Sequence, residues 1–199
     1  EQAISEGCKE IQLTAQDSAA FGKDSGESLS DLMNAITDIE GDFKVRVGMM
    51  HPKSMMYDVT GIINAFKHDK FYKFLHIPIQ SGNNKVLNDM NRCHSVEEFK
   101  TIIAMFREEI PDISISTDII VGYPTEDDNA FSDTMKLIQE IKPDFLHISK
   151  YMHRPGTSSS HLKEIGYETM KKRSKALKEL KESIAIENNR KFIRTNQKV

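Results

Sequence analysis

Short apolar runs alternate with helical patterns along this chain of 199 residues. Each run is brief, contains β-branched or aromatic residues, and is bounded by glycine, proline or polar turns, which is the pattern of a buried strand. Because about thirty residues separate one run from the next, there is room for a helix after each strand. The sequence predicts five strands, at residues 11–14, 45–48, 74–77, 113–121 and 145–149.

Between the strands, apolar residues recur at spacings of three and four, which predicts amphipathic helices. Residues 1–6 have the pattern of a helix that ends at Gly7, and a long final helix is predicted over residues 167–188. Ser95 and Glu98 form a capping box before the third helix, and Thr125 is the expected cap of the fourth. The apolar positions are Leu29, Leu32, Met33, Ile36 and Ile39; Val59, Ile62, Ile63 and Phe66; Val96, Phe99, Ile102, Ile103, Phe106 and Ile110; Phe131, Met135, Ile138 and Ile141; and Met170, Leu177, Leu180 and Ile184.

This alternation predicts an α/β protein, because parallel strands joined by right-handed helical crossovers form a barrel or a doubly wound sheet. The regular spacing, without a glycine-rich phosphate-binding fingerprint, favours the barrel. Five strands are too few to close an eight-stranded barrel, so we expect an open, partial form with outer helices. If the leading helix belongs to an upstream strand–helix unit, this barrel lacks its first strand.

Composition narrows the class of protein. No stretch approaches about eighteen consecutive apolar residues, so neither a transmembrane helix nor a signal peptide is predicted. The two cysteines, Cys8 and Cys93, do not make a disulfide framework, which makes a cytoplasmic protein the expectation. The chain begins with Glu1 instead of an initiator methionine and ends without a capping signal, so we expect a segment of a longer protein.

Charge is unevenly distributed. The formal net charge is −3, yet the chain from Lys163 to its end carries eleven Lys or Arg residues against five Asp or Glu residues. A basic end of this kind is found in proteins that face nucleic acid. A solvated, lysine-rich amphipathic helix is the more common explanation, and the sequence leaves both open.

Polar residues follow every predicted strand, at the edge where strand–helix repeat proteins bind ligands. Asp118 lies in an apolar run, where a carboxylate is costly unless it is paired or hydrogen-bonded, so a functional role and a structural hydrogen bond to a neighbouring strand loop are equally open. Arg46 lies between two valines, and a buried arginine usually has an anionic partner. We interpret His76 and His147 as core residues and His51 as a turn residue.

Five ordered motifs at these strand ends resemble those of the radical S-adenosylmethionine (SAM) methylthiotransferases. They are Leu-Thr-x-Gln-Asp at residues 13–17, Arg-x-x-x-x-His-Pro at 46–52, Leu-His-x-Pro-x-Gln-Ser-Gly with Val-Leu-x-x-Met-x-Arg at 75–92, Thr-Asp-Ile-Ile-Val-Gly-Tyr-Pro at 117–124, and Tyr-x-x-Arg-Pro-Gly-Thr at 151–157. The resemblance extends from residue 3 to about residue 190. It implies a radical-SAM barrel over residues 1–188 and, from residue 189 to 199, the start of a linker to an RNA-binding module.

Within that family, the segments at residues 15–17 and 46–52 are most similar to the branch that acts on N6-threonylcarbamoyladenosine at position 37 of tRNA. Branches that modify isopentenyladenosine in tRNA, or an aspartate of a ribosomal protein, remain the near alternatives. From a different class, a non-catalytic RNA-binding barrel module also stays open. The resemblance implies tRNA as the partner and leaves the oligomeric state open.

The resemblance also implies two kinds of cofactor, SAM and [4Fe-4S] clusters. The CxxxCxxC loop that binds the radical-generating cluster in this family is absent from this chain, as is any HExxH or paired CxxC motif. Cys8 and Cys93 are too few to replace that loop. We therefore predict no metal ligands in this chain and expect the chain by itself to be inactive.

Matching the motifs in strand order assigns nine residues to the SAM site. Gln16 and Asp17 are expected near the methionine moiety, and Gln80 and Ser81 near the ribose or the carboxylate. Arg154 is expected to face either the cofactor or the RNA, while the residues of the later strands line the adenosine. The nine residues are Gln16, Asp17, Arg46, Gln80, Ser81, Asp118, Gly122, Tyr151 and Arg154.

Overall fold

A computed structural model describes residues 1–193, which divide into two compact units. The first unit comprises residues 1–78 and 97–115, and the second comprises residues 79–96 and the chain from residue 116 onward. Much of the linker predicted over residues 189–199 is not covered, because residues 194–199 lie outside the described residues.

The described residues form strands and helices in alternation. The strands are β1 (Glu10–Leu13), β2 (Lys44–Val47), β3 (Phe74–His76), β4 (Ser114–Val121) and β5 (Phe145–Lys150). The α-helices are α1 (Gln2–Ser5), α2 (Leu29–Thr37), α3 (Pro52–Met55), α4 (Val59–Phe66), α5 (Asn84–Asp89), α6 (Val96–Glu109), α7 (Asp128–Ile141) and α8 (Tyr167–Asn189). Short 3₁₀ helices occupy Ser18–Ala20, Ser158–His161 and Arg190–Phe192.

The first unit contains a parallel pair of strands, β1 and β2, in register from Glu10 opposite Lys44 to Leu13 opposite Val47. Burial alternates along β2, because Val45 and Val47 are buried and Arg46 between them is exposed. Helices α2 and α4 pack against each other. Most of the predicted inward residues of the two helices are buried, but Leu32 and Val59 are only half-buried and Ile39 falls beyond the end of α2.

The second unit contains the parallel pair β4 and β5, in register from Ser116 opposite Phe145 to Val121 opposite Lys150. Near its end, β4 alternates between two environments. Ile119 and Val121 are fully buried, whereas Asp118 and Ile120 are half-buried on the opposite face. The parallel pairing in both units confirms the α/β class.

Two helix starts differ from the prediction. Thr125 is wrong as the cap of α7, because Asp127 caps it by accepting a hydrogen bond from the N–H of Ala130 at 2.8 Å. Thr125 instead lies in a turn closed by the N–H of Glu126, which donates to the carbonyl of Tyr123 at 2.8 Å. Helix α3, which has four residues, was not predicted, because one helical turn is too short to show a period.

Arg173 fastens α8 to the segment between β4 and α7. Its Nη1 donates to the carbonyl oxygen and to Oε1 of Glu126, both at 2.8 Å, and its Nη2 donates to Oδ1 of Asp128 at 2.7 Å. Oε1 of Glu126 also accepts the N–H of Gly122 at 3.0 Å. We call Arg173, Glu126, Asp128 and Gly122 the Arg173 clasp.

The basic end of the chain consists mainly of α8. Two of its lysines lie one turn from glutamates, with Lys175 Nζ at 3.8 Å from Glu179 and Lys178 Nζ at 3.9 Å from Glu182. Such exposed pairs are typical of a solvated helix. In the described part of the chain, no helix combines the length and apolar character that crossing a membrane requires.

Candidate functional site

The second unit contains a cleft with a volume of about 1150 Å³, which we call the second-unit cleft. Ligand pockets commonly have volumes of about 300–1,000 Å³. The cleft therefore has room for a cofactor and for part of another ligand. Four of the nine predicted site residues line it: Gln80, Asp118, Tyr151 and Arg154.

Gln80 pairs with β4 through an isolated parallel bridge of a single residue. Its N–H donates to the carbonyl of Asp118 at 2.8 Å, and its carbonyl accepts the N–H of Ile120 at 3.0 Å. Its φ is +74°, a left-handed conformation that is uncommon for residues other than glycine. Both backbone groups are thus bonded, so the position of Gln80 at the cleft is fixed by its main chain.

The turn after Gln80 lies behind the cleft. Ser81 is fully buried and does not line the cleft, and its Oγ accepts the N–H of Asn83 at 3.3 Å. The N–H of Gly82 donates to Oγ1 of Thr134 on α7 at 2.9 Å. A Cβ at position 82 would lie 2.5 Å from the Cα of Thr134, so only glycine allows the turn to approach α7 this closely.

Aromatic side chains form another wall of the cleft. The rings of Tyr123 and Tyr151 meet edge to face with their centroids 5.4 Å apart. The hydroxyl of Tyr123 donates to the carbonyl of Asp89 at 2.7 Å, and burial, with smaller contributions from Tyr151 and Asp89, raises the pKa of Tyr123. The hydroxyl of Tyr151 is buried and has no hydrogen-bond partner among the described residues. A ligand hydroxyl, amine or carboxylate in the cleft would supply that partner.

Helix α8 contributes Tyr167, Met170 and Ser174 to the cleft, at the three-and-four spacing of one helix face. Gly122 itself does not line the cleft. It has a φ of +83°, and a Cβ there would overlap the side chain of Met170. Glycine at 122 therefore permits the sharp end of β4 and the close approach of α8.

Sequence reasoning missed the cationic part of the cleft, to which Arg92 and Lys150 contribute beside Arg154. Lys150 Nζ also lies 5.2 Å from the centroid of the Tyr167 ring. The position of Lys150 at the cleft could have been predicted from the alternation of β5, because Lys150 shares a strand face with Ile148, which also lines the cleft. The place of Arg92 depends on the turn that precedes it.

The remaining predicted residues lie in the first unit. Gln16 is exposed, and Asp17 accepts the N–H of His51 at 2.9 Å. The guanidinium of Arg46 stacks over the ring of Phe74 at 4.5 Å and borders a smaller cleft of about 190 Å³. Arg46 is exposed, whereas Val45 and Val47 on either side of it are buried on the other face of β2.

Both cysteines are free thiols in the structure. Sγ of Cys8 donates to the carbonyl of Glu10 at 3.1 Å, and Cys93 is exposed. An iron–sulfur cluster is usually held by four cysteine thiolates, so the two cysteines of this chain do not suffice.

The chain belongs to the radical SAM superfamily, whose family description matches residues 2–138. Its relatives define a narrower group. It is 54% identical, over 198 residues, to a probable threonylcarbamoyladenosine tRNA methylthiotransferase of Methanothermobacter thermautotrophicus, covering 100% of this chain and 47% of that relative. It is 36% identical, over 180 residues, to the threonylcarbamoyladenosine tRNA methylthiotransferase of Drosophila melanogaster, covering 90% of this chain and 33% of that relative. The chain thus spans about half the length, or less, of the curated relatives it matches.

Solved structures show the same fold at low sequence identity. Coproporphyrinogen III oxidase from Escherichia coli, described as a radical SAM enzyme, superposes with a TM-score of 0.69 at 18% identity, over 88% of this chain and 40% of that one. An archaeal Elp3 from Methanocaldococcus infernus gives a TM-score of 0.59 at 15% identity, over 88% of this chain and 47% of that one. These likenesses concern the fold alone.

Proposed function

We propose that this chain is part of a radical-SAM methylthiotransferase that adds a methylthio group to C2 of N6-threonylcarbamoyladenosine-37 in tRNA. The observation that carries the proposal is the convergence of Gln80, Asp118, Tyr151 and Arg154 on one cleft, in a chain of the radical SAM superfamily. The named relatives in archaea and an insect support the substrate. The proposal includes a partial barrel over residues 1–188, a following linker to an RNA-binding module, and action in the cytoplasm.

The second-unit cleft fits SAM through its unpartnered Tyr151 hydroxyl and its mixture of apolar and polar walls. Met90, Ile120 and Met170 offer apolar surface to an adenine ring, while Tyr151 and Asp118 offer polar groups to the ribose or to the amino acid moiety. Bound SAM, with a reduced cluster, supplies radical hydrogen abstraction and the methyl group. The share of this chain is to hold and orient its ligands and to keep water from the reacting atoms.

Gln16, Asp17 and Arg46 lie in the first unit, and their proposed contacts with the cofactor are supported by their strand-end motifs alone. Gly82, which follows the buried Ser81, packs against α7, and Gly122 packs against Met170 of α8, so this turn and this glycine support the site from behind. The cluster is different, because two cysteines do not fit it. We therefore assign its ligands to residues outside this chain and derive no step from it.

Mass analysis of tRNA nucleosides tests the function. A strain that lacks the gene should contain N6-threonylcarbamoyladenosine without its 2-methylthio group, and a plasmid copy of the full gene should restore the modified form. Loss of the methylthio group from isopentenyladenosine instead would favour the alternative branch. Unchanged methylthio nucleosides in the deletion strain would refute a methylthiotransferase and leave the non-catalytic RNA-binding module.

SAM binding to the full gene product tests the cleft. Tyr151→Phe removes one hydroxyl, and we expect SAM affinity to fall about 2- to 10-fold, as for one hydrogen bond. Tyr57→Phe is the matched control, because Tyr57 is 73% exposed in the first unit. Equal affinities for both variants and the parent protein, measured by calorimetry, would exclude Tyr151 from the SAM site.

A further inference from the structure

We propose that Lys150 and Tyr167 bind a nucleotide that neighbours the target adenosine in the tRNA. The base of this nucleotide stacks on the ring of Tyr167, and its phosphate accepts hydrogen bonds from Lys150. The inference rests on the proposed function, and neither residue belongs to the five strand-end motifs.

Both residues lie where the second-unit cleft opens to solvent. Each of them lines the cleft, yet Lys150 is exposed and Tyr167 is 62% exposed. Lys150 is the last residue of β5, opposite Val121 of β4, and Tyr167 is the first residue of α8. The end of a strand and the start of a helix therefore bring the two side chains together at the rim of the cleft.

The pair combines an aromatic ring with a cation. Nζ of Lys150 lies 5.2 Å from the centroid of the Tyr167 ring, within the range of a cation–π interaction. In the part of the chain that the structure describes, Lys150 forms no hydrogen bond or ion pair. A ring offers an ammonium group no lone pair on oxygen or nitrogen, so the three N–H donors of Lys150 stay available to an anion.

This combination is the one by which proteins bind unpaired nucleotides. Bases stack on aromatic side chains, and lysine or arginine side chains contact the phosphates. Much of the Tyr167 ring is open to such a base, because most of its surface is exposed. Arg154 lines the same cleft and adds a second exposed cation to its rim. The target adenosine lies next to the anticodon, so unpaired nucleotides adjoin it.

A second lysine–tyrosine pair, in the first unit, differs in its surroundings. Nζ of Lys23 lies 4.5 Å from the centroid of the Tyr57 ring, and both residues border a cavity of about 390 Å³. Glu27 and Asp58 line that cavity too, and two carboxylates repel a phosphate. Among the described lining residues of the second-unit cleft, three cationic side chains outnumber one acidic side chain. Tyr57 and Lys23 therefore serve as a matched control.

The test measures how tightly the full gene product binds an anticodon stem-loop RNA that contains N6-threonylcarbamoyladenosine at position 37. We expect Tyr167→Ala to weaken binding about 5- to 100-fold, as for the loss of one stacked base. Tyr167→Phe keeps the aromatic face, so its affinity should stay within about twofold of the parent protein. Tyr57→Ala should leave the affinity unchanged, although it removes an equally exposed ring.

Two more measurements separate the base from the phosphate. A stem-loop that is abasic at the stacked nucleotide should bind the parent protein more weakly, and Tyr167→Ala should then cost little more. For the intact stem-loop, Lys150→Gln should reduce the slope of log affinity against log salt by about 0.7, as for one phosphate contact on a single strand. Lys23→Gln should leave that slope unchanged.

Other outcomes would overturn the assignment. Equal losses for Tyr167→Ala and Tyr57→Ala, or a loss for Tyr167→Ala that is the same whichever neighbouring base is absent, would exclude stacking on Tyr167. If Lys150→Gln weakened binding of the free N6-threonylcarbamoyladenosine nucleoside as much as that of the stem-loop, Lys150 would bind the carboxylate of the substrate. A loss of SAM affinity would place the pair at the cofactor. Failure of the proposed function is distinct, because it would show as a parent protein that adds no methylthio group to the RNA it binds.

Discussion

Arg173→Met tests whether the Arg173 clasp holds α8 in place. Methionine keeps much of the apolar length of the side chain and removes its charge and its donors. The two bonds from Nη1 end on Glu126, whose side chain is fully buried, whereas the bond from Nη2 ends on Asp128, whose side chain is 97% exposed. The two acidic partners should therefore contribute unequally.

The magnitude follows from this difference in burial. Removing one partner of a buried ion pair costs about 3–5 kcal/mol, because the other charge remains buried and unpaired. After the substitution, the carboxylate of Glu126 would keep one described donor, the N–H of Gly122. An exposed pair contributes about 0–1 kcal/mol. We expect Arg173→Met to reduce the opening free energy of α8 by about 3–5 kcal/mol, and the control Asp128→Asn to reduce it by much less.

Native-state hydrogen exchange of α8 amides, read by mass spectrometry, is the suitable assay. It reports local opening, so it does not require both units to unfold together. A double variant, Arg173→Met with Glu126→Leu, should recover most of the loss, because an apolar pair can replace a buried ion pair at little cost. Equal effects of Arg173→Met and Asp128→Asn, or unchanged protection of α8, would refute the reasoning.

Two further predictions concern single residues. In α4, a Cβ at Gly61 would overlap the carboxylate of Asp58, which caps that helix, so Gly61→Ala should destabilise by about 1 kcal/mol in urea unfolding despite the better helix propensity of alanine. In an Asp58→Ala background the same substitution should instead stabilise, and a loss in both backgrounds would contradict this account. Burial raises the pKa of Glu126, although the Gly122 N–H and Arg173 oppose the rise, so protonation favours the folded state. The stability of the parent protein relative to Glu126→Gln should therefore be greatest below the ordinary pKa of 4.5 and should decline as pH rises through the raised pKa. Urea midpoints of the two proteins, measured across this pH range, check the prediction. A parent midpoint that increases relative to that of Glu126→Gln as pH rises would contradict the sign.

Strands were predictable in this chain because their apolar runs are short and sharply bounded. Each strand begins and ends within one residue of its predicted range, whereas α2 ends two residues before Ile39 and α7 begins later than the cap predicted at Thr125. Arg173 was missed because an arginine on a lysine-rich helix is usually exposed, and the sequence does not indicate which cation turns inward. The segment between β4 and α7 determines which cation of α8 turns inward, because it places Glu126 within hydrogen-bonding distance of Arg173.

The candidate site was predictable where a strand end alone positions the residue. Asp118 and Tyr151 line the second-unit cleft because β4 and β5 end beside it. Ser81 was expected in the site, but the close contact of Gly82 with α7 buries it behind the cleft. Arg92 was overlooked as a lining residue of the cleft because its direction depends on one left-handed residue, Asn91.

The residues that line the second-unit cleft differ in how readily they can adapt. On the α8 side, Met170 rests where Gly122 lacks a side chain, and the flexible methionine can change rotamer to suit a different occupant. Arg92, by contrast, follows a turn whose backbone is held by three hydrogen bonds. A different occupant of the cleft should therefore be accommodated first by a rotamer change at Met170, and last by a change in the turn before Arg92.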